Sequence, residues 1–484
     1  MTADAVAYHA LTRPEAVAVI HDGRRITYAD FHGDIWKFIR GVQELGLTPG
    51  DSVAVGCADF YAHWLLLLAF ERLGIGTASL APREDLASAS RLLSTMDLVL
   101  SDTAIPGTIP IKRYQSLSPA WLQRVFALEP QHLEPSVSRL PSDVVRVLRT
   151  SGTTGASKRM LLRRRHHEAR LARWTCFGIA REHRYLVSMP FTMHAVYSVA
   201  TAYIRAGATV VNDGKLELGE ALTAYDINHV ILMPKQLRHI LERVPGNAAR
   251  PRKLLISSLG ATLPAPLRRK ALALVAAVVL DMYACNEVAL VAVTGFDGGT
   301  PHGTLWPGVT IEIVDEHANV LPYGQAGTMR IATDAMVEGY LDDPETTGRM
   351  FRGGWFYPGD VGVLHGARRL QVLGRVDELL NVGGEKISPA NVEELIMVEA
   401  GVDDVGVCTI PDGEGVEQLC IAVAGDVATD PKALERIGQL LGHVRVGNVF
   451  VTGVPKIPRT ATGKIQRALL RTAALDAIKL AGVV

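Results

Sequence analysis

A chain of 484 residues, 48% hydrophobic and 21% charged, exceeds the size at which one core stops growing and is too apolar to stay disordered, so at least two folded domains are expected. Fifty Lys+Arg balance fifty Asp+Glu, which removes the long-range field that would draw nucleic acid or an anionic membrane. Any anion recognition must then be local.

The N-terminus, Met1-Thr2-Ala3-Asp4, lacks the basic start and apolar core of a signal peptide. Apolar runs such as 271–280 fall short of the roughly 18 residues of a membrane span, so a cytoplasmic protein without membrane or nucleic-acid partners is expected. Short Val/Ile/Leu-rich runs at 52–56, 98–100, 144–148, 185–188, 209–212, 229–233, 253–257 and 276–280 predict buried strands. Between them, 61–73 and 86–93 carry helical periodicity, with Asp85 placed to cap the second. This alternation predicts α/β layering. From Pro307 the texture becomes β-rich, with strands at 309–314 and 328–333 around a turn at 323–327. Beyond the segment 374–377, a helix at 389–398, strands at 405–410 and 418–423, and a helix at 430–441 make a separate α+β unit. The expected organisation is therefore a large α/β domain of several subdomains with a β-rich appendage over 1–376, and a small mobile domain over 377–484. The cysteines Cys57, Cys176, Cys285, Cys408 and Cys420 form no C-x-x-C pair and read as buried reduced thiols.

The strand at 144–148 runs into Arg149-Thr150-Ser151-Gly152-Thr153-Thr154-Gly155-Ala156-Ser157-Lys158. Glycines let backbone N–H groups close around phosphate, hydroxyls add donors, and lysine adds compact charge. A Walker A loop is excluded, because it needs four residues between its glycines and Lys directly after the second. Alone, such a stretch is more often a surface loop; the motifs further along reverse that balance.

Those motifs are Asp281-Met282-Tyr283-Ala284-Cys285-Asn286-Glu287, Gly354-Trp355-Phe356-Tyr357-Pro358-Gly359-Asp360, Gly374-Arg375-Val376-Asp377, Leu380-Asn381-Val382-Gly383-Gly384-Glu385-Lys386, and Pro458-Arg459-Thr460-Ala461-Thr462-Gly463-Lys464-Ile465. In order and spacing, from Arg25-Ile26-Thr27-Tyr28 to Lys464, the chain resembles the adenylate-forming superfamily of acyl-CoA synthetases, peptide-synthetase adenylation domains and luciferases. The resemblance implies a phosphate loop of Thr150, Ser151, Gly152, Thr153, Thr154, Gly155 and Lys158. It also implies that Gly260, Ala261, Thr262, Asp281, Met282 and Tyr283 bind the nucleotide, with Tyr283 on the adenine. Asn286 would touch the α-phosphate, Glu287 would hold Mg2+, and Asp360 and Arg375 would hold the ribose. Asp377 would be the hinge, Gly383 and Gly384 would flank a thiol tunnel, and Lys464 would bridge carboxylate and α-phosphate as charge develops. Four positions depart from the family pattern: Ser157 replaces Pro, Arg159 replaces Gly, Ala284 replaces Gly, and Asn286 replaces Thr.

Phe191, His194, Ala195, Tyr197 and Ser198, with Ser257, Ser258, Leu259, Gly260 and Ala261, fall where the family builds its acyl pocket. The segment 191–199 has no acidic residue to pair with a substrate ammonium, which disfavours an α-amino acid. Small and mixed side chains favour an aryl or short-to-medium organic acid. The basic run Arg163-Arg164-Arg165 with His166, His167, Arg170 and Arg173 reads as a solvated helix face, and His166-His167-Glu168 lacks zinc-helix spacing. The expected reaction joins the acid to ATP as acyl-AMP, releases pyrophosphate and passes the acyl group to a thiol, with CoA favoured. Loading of a carrier protein, transfer to an amine and an inactive nucleotide-binding homologue are the alternatives, in that order. Required cofactors would be ATP and Mg2+, and the assembly a monomer or homodimer.

Overall fold

The computed structural model describes all residues except 82–85, 131–142, 151–157, 244–252, 296–301, 377–378, 383–384, 403, 413–415, 442–448, 460–464 and 481–484. The large α/β part is built on two sheets. The first has six strands in the order Tyr114–Ser116, Leu98–Ser101, Ser52–Gly56, Gly76–Leu80, Val144–Thr150 and Lys158–Arg163. Its neighbours are parallel except the last two, which form an antiparallel hairpin. Parallel pairing requires a crossover, and the helix Phe60–Arg72 supplies one between Ser52–Gly56 and Gly76–Leu80. With both faces covered, Gly76–Leu80 is buried at every position and shows no polar alternation. The crossover helix is buried from Phe60 to Glu71. Its cap is Asp59, whose carboxylate accepts the Ala62 N–H at 2.7 Å, a contact worth about 1 kcal/mol. Asp85, expected to cap the next helix, lies outside the described residues.

Among the described residues the second sheet has 15 strands. Its parallel centre runs Arg184–Leu186, His229–Leu232, Leu255–Ser258, Val278–Cys285. The change to antiparallel pairing comes earlier than the Pro307 expected from sequence, at Ala289–Thr294. Only three residues separate that strand from Val278–Cys285, too few for a crossover, and Ala289 turns the chain with φ of 63°. The main hydrophobic core draws on helices and on strands of both sheets and includes Phe31, Trp64, Leu65, Tyr197, Ile231 and Leu280.

The C-terminal α+β part pairs Asp404–Pro411, Glu417–Ala424 and Val449–Gly453 in one sheet, with helices Pro389–Glu399, Pro431–Leu441 and Arg467–Leu480. It has its own cores, one around Ile396, Val407, Ile421 and Ile437 and another around Cys420, Leu470 and Ala474. Among the described residues no helix is long and apolar enough to cross a membrane.

Two expectations need correction. The helix Arg164–Trp174 is not a solvated face: His166, His167, Arg170 and Arg173 are buried. Arg170 donates to the carbonyls of Asn286 (2.8 Å) and Ala335 (3.0 Å). Arg173 donates to the carbonyls of Leu290 (3.3 Å) and Gly308 (3.1 Å). A guanidinium can be buried when carbonyl oxygens replace its hydration. Cys176 is exposed and Cys285 only partly buried, whereas Cys57, Cys408 and Cys420 are buried as expected.

Candidate active site

The strands Val144–Thr150 and Lys158–Arg163 flank the segment expected to be the phosphate loop, with Thr150 opposite Lys158 and Arg149 opposite Arg159. Ser151, Gly152, Thr153, Thr154 and Gly155 lie outside the described residues, as do Asp377, Gly383, Gly384 and Lys464. The Lys158 ammonium sits 4.8 Å from the centroid of the Tyr340 ring. Arg159 is almost wholly buried and fastens the loop's exit. It donates to the Arg91 carbonyl (3.1 Å) and to Thr95 Oγ1 (2.6 Å), and it ion-pairs with Asp342. The Leu341 N–H donates to the Arg159 carbonyl at 2.7 Å. The side chain that replaces the family's glycine therefore ties the hairpin to two other segments.

The strand Val278–Cys285 carries the second group. Asp281 accepts the Leu263 N–H at 3.1 Å, which fixes the turn after Gly260, Ala261 and Thr262; Gly260 has φ of 95°, a conformation glycine adopts without strain. Met282 is buried. The Tyr283 hydroxyl donates to Asp360, and burial together with that carboxylate pushes it well above its ordinary range. Asp360 and Arg375 face each other across neighbouring strands, with Arg375 Nη1 3.7 Å from Asp360 Oδ1. A Cβ at Gly359 would meet Arg375 Nη2 at 3.3 Å, so glycine leaves that guanidinium room beside the carboxylate. Tyr283, Asp360 and Arg375 thus form one group: a ring, a carboxylate and a cation suited to a nucleoside's base and vicinal hydroxyls.

Past the strand end, Asn286 donates its side-chain amide to the Arg149 carbonyl at 2.9 Å, bracing the hairpin of Val144–Thr150 and Lys158–Arg163. Glu287 is buried, and its Oε1 accepts the Tyr340 hydroxyl at 2.8 Å. Its backbone is held by the Val337 N–H (2.9 Å) and by Arg170 (3.3 Å). Lys158, Tyr340 and Glu287 therefore stand in a row. Magnesium bound with a nucleotide takes one or two carboxylates and fills its octahedron with phosphate and water oxygens. Glu287, with one oxygen engaged by Tyr340, fits that demand. No group of three or more His, Cys, Asp or Glu that could form a self-contained metal cage occurs among the described residues.

His194 opens the helix His194–Arg205, and its Nε2 lies 3.1 Å from Ser198 Oγ. Burial and nearby arginines hold it neutral, well below its ordinary range. Phe191 packs against Phe60 at 4.7 Å and Tyr197 at 5.7 Å. Ala195 is half-buried on the first turn, Tyr197 and Ser198 are fully covered, and Leu259 is half-buried beyond Ser258. Ser257 is engaged instead with His229 Nε2 at 2.9 Å, while Tyr203 holds the other ring nitrogen at 3.0 Å.

Sequence reasoning missed Tyr340, Arg159's clamp and Arg170. The only signal for Arg170 was its place in the basic run, and nothing in that run distinguishes a buried arginine from a solvated one.

A family model for AMP-binding enzymes matches residues 6–341. An oxalate–CoA ligase of Saccharomyces cerevisiae is 29% identical over 347 residues, 68% of this chain and 63% of that protein, so the match spans just under two thirds of that relative. A feruloyl-CoA synthase of an Amycolatopsis species is 26% identical over 494 residues, covering 95% of this chain and 96% of that one. Among solved structures, ATP-bound MatB from Rhodopseudomonas palustris shares the fold, with a TM-score of 0.84 at 23% identity over 98% of this chain and 99% of that one. With the nucleotide-type geometry above and a family match over most of its length, this chain belongs to the AMP-binding enzyme family.

Proposed function

We propose that the protein activates a carboxylic acid with ATP as its acyl-AMP, releasing pyrophosphate, and then passes the acyl group to a thiol, CoA being the favoured acceptor. The observation that carries this reading is the placement of two groups by one strand: Tyr283 on Val278–Cys285 meets Asp360 beside Arg375, and Glu287 just past its end meets Tyr340 beneath Lys158. The first group would hold adenosine, with Asp360 accepting the ribose hydroxyls. The second would face the polyphosphate, Lys158 countering its charge. Mg2+ held by Glu287 would neutralise charge on the phosphates.

Attack of a carboxylate on the α-phosphate gathers negative charge, and preorganised cations lower that barrier most. Lys464 would supply one of them, while Asn286 keeps the hairpin in register through Arg149. Residues 377–484 would form a domain that turns about Asp377 after adenylation, placing Gly383 and Gly384 beside the incoming thiol. The curated relatives named above, both CoA-joining enzymes by name, support CoA over other acceptors. The acid is read as aryl or short-to-medium in length, held near Phe191, His194, Ala195, Tyr197, Ser198, Ser258 and Leu259.

The test is pyrophosphate release with Mg-ATP and a panel of acids, with and without CoA, beside Lys464→Ala. Release that requires an acid, rises with CoA and collapses in the variant is the expected result. Acid-independent release, or full activity in Lys464→Ala, would sink the reading.

A further inference from the structure

Near His194 the core contains polar groups that find no partner among the described residues. Arg146, on the strand that leads into the phosphate loop, is 2% exposed. Its Nη2 donates to Ser79 Oγ at 2.6 Å, and its Cζ lies 4.5 Å from the centroid of the Tyr197 ring. Among the described residues its Nε and Nη1 have no hydrogen-bond partner, although the Tyr197 hydroxyl also acts on the guanidinium, and neither ring nitrogen of His167 nor His194 Nδ1 has one. These groups adjoin one another: His167 lies 5.8 Å from His194 and 5.9 Å from Tyr197, ring centre to ring centre.

No nearby carboxylate forms an ion pair with Arg146: the buried Glu71 acts on it only through its charge, with Oε1 held by Arg164 and Oε2 without a partner among the described residues. Arg205 pairs with Glu168 at 2.5 and 2.9 Å, and Arg164 pairs with Glu71 at 3.2 Å. Arg170 is satisfied by backbone carbonyls. Among the described residues Arg146 has no carboxylate within ion-pair distance. A buried guanidinium with two idle N–H groups is strongly penalised unless something anionic or strongly polar meets it. Burial holds His167 neutral, with a pKa of about 3, so its ring offers one donor and one acceptor rather than a second positive charge. The charges of Arg146 and Arg170 both act on His194, and Arg170 in turn holds the backbone of Asn286 and Glu287.

We propose that Arg146, with His167 and His194 beside it, is an internal site for a second carboxylate at the far end of the acid substrate. This rests on the adenylation reading and narrows its substrate to acids carrying two anionic groups. One carboxylate meets ATP; the other takes charge-assisted hydrogen bonds from Arg146 Nε and Nη1, a pairing that a guanidinium's fork geometry suits.

The experiment compares each diacid from malonate to adipate, and terephthalate, with its own monomethyl ester, using the full chain and acid-dependent pyrophosphate release. The ester preserves size and removes the distal charge. At least one diacid should exceed its ester in kcat/KM by about tenfold or more, since a site built for a polar group rejects an analogue lacking it. Arg146→Met should bring that ratio towards one, and Arg146→Lys should retain part of it. Esters turned over as well as diacids by the natural protein, or a ratio unchanged in Arg146→Met, would overturn the proposal and assign the idle groups to ordered water. The wild-type comparison stands even if a variant fails to fold. If no acid releases pyrophosphate, the adenylation reading fails, and binding decides this inference separately. A diacid, but not its ester, raising the melting temperature of the natural chain would uphold it; equal shifts would refute it.

Discussion

Arg159→Met removes the clamp just past the proposed phosphate loop while keeping an unbranched side chain of similar reach. The natural guanidinium gives two charge-assisted hydrogen bonds, to the Arg91 carbonyl and Thr95 Oγ1, worth about 1.5 kcal/mol each at the low end. The ion pair to Asp342 adds less than about 1 kcal/mol, because that carboxylate is 54% exposed and screened. About 3 kcal/mol of preorganisation is therefore at stake. If about half is lost from the ATP complex and half from global stability, KM for ATP rises roughly tenfold. Initial rates of pyrophosphate release at varied ATP and at varied acid measure this, together with a thermal melt. KM for the acid should change by less than about threefold, since the clamp adjoins Lys158 and not the helix His194–Arg205. Arg159→Lys, which keeps the charge but loses the fork, should fall between the two. An ATP KM within about twofold of the natural value in Arg159→Met, with an unchanged melt, would refute the reasoning.

Tyr340→Phe keeps the ring beneath Lys158 and removes the hydrogen bond to Glu287; kcat/KM for Mg-ATP should drop about tenfold, with the largest loss at low magnesium, measurable by a magnesium titration. Arg170→Met strands the carbonyls of Asn286 and Ala335 and should destabilise the fold by about 3 kcal/mol or more, read from urea unfolding. The His21–Asp59 pair, 3.1 Å apart, raises the histidine's pKa and lowers the aspartate's. Its stabilisation is full below the ordinary histidine pKa, fades as pH climbs through the raised one, and is lost in acid as Asp59 protonates. Asp59→Asn, which keeps the helix cap, should therefore lower the melting temperature more at about pH 5.5 than at about pH 8.5. Equal losses at both would count against the pair.

Much of the architecture was legible because buried parallel strands such as His229–Leu232 write themselves as continuous apolar runs. Tyr283, Glu287, Asp360 and Arg375 could be named through the motifs that resemble the adenylate-forming superfamily, and the structure places Tyr283 and Arg375 beside Asp360 and Glu287 beside Tyr340. Tyr340 could not be named, since its contact with Glu287 spans 53 positions and no local pattern encodes it. The helix Arg164–Trp174 misled because its polar side chains find carbonyls contributed by segments more than a hundred residues away. Periodicity reports which residues are apolar; it does not report which polar groups have found partners. Arg146 belongs to the same class, a charged residue on an otherwise apolar strand whose meaning depends on its surroundings.

The most direct measurement of the central claim is exchange of labelled pyrophosphate into ATP, because it reports reversible adenylate formation without any acceptor. Exchange that requires an acid, proceeds without CoA and is lost in Asp360→Ala is the expected result. ATP consumed to ADP and phosphate, or acid-dependent ATP consumption with no exchange, would contradict it.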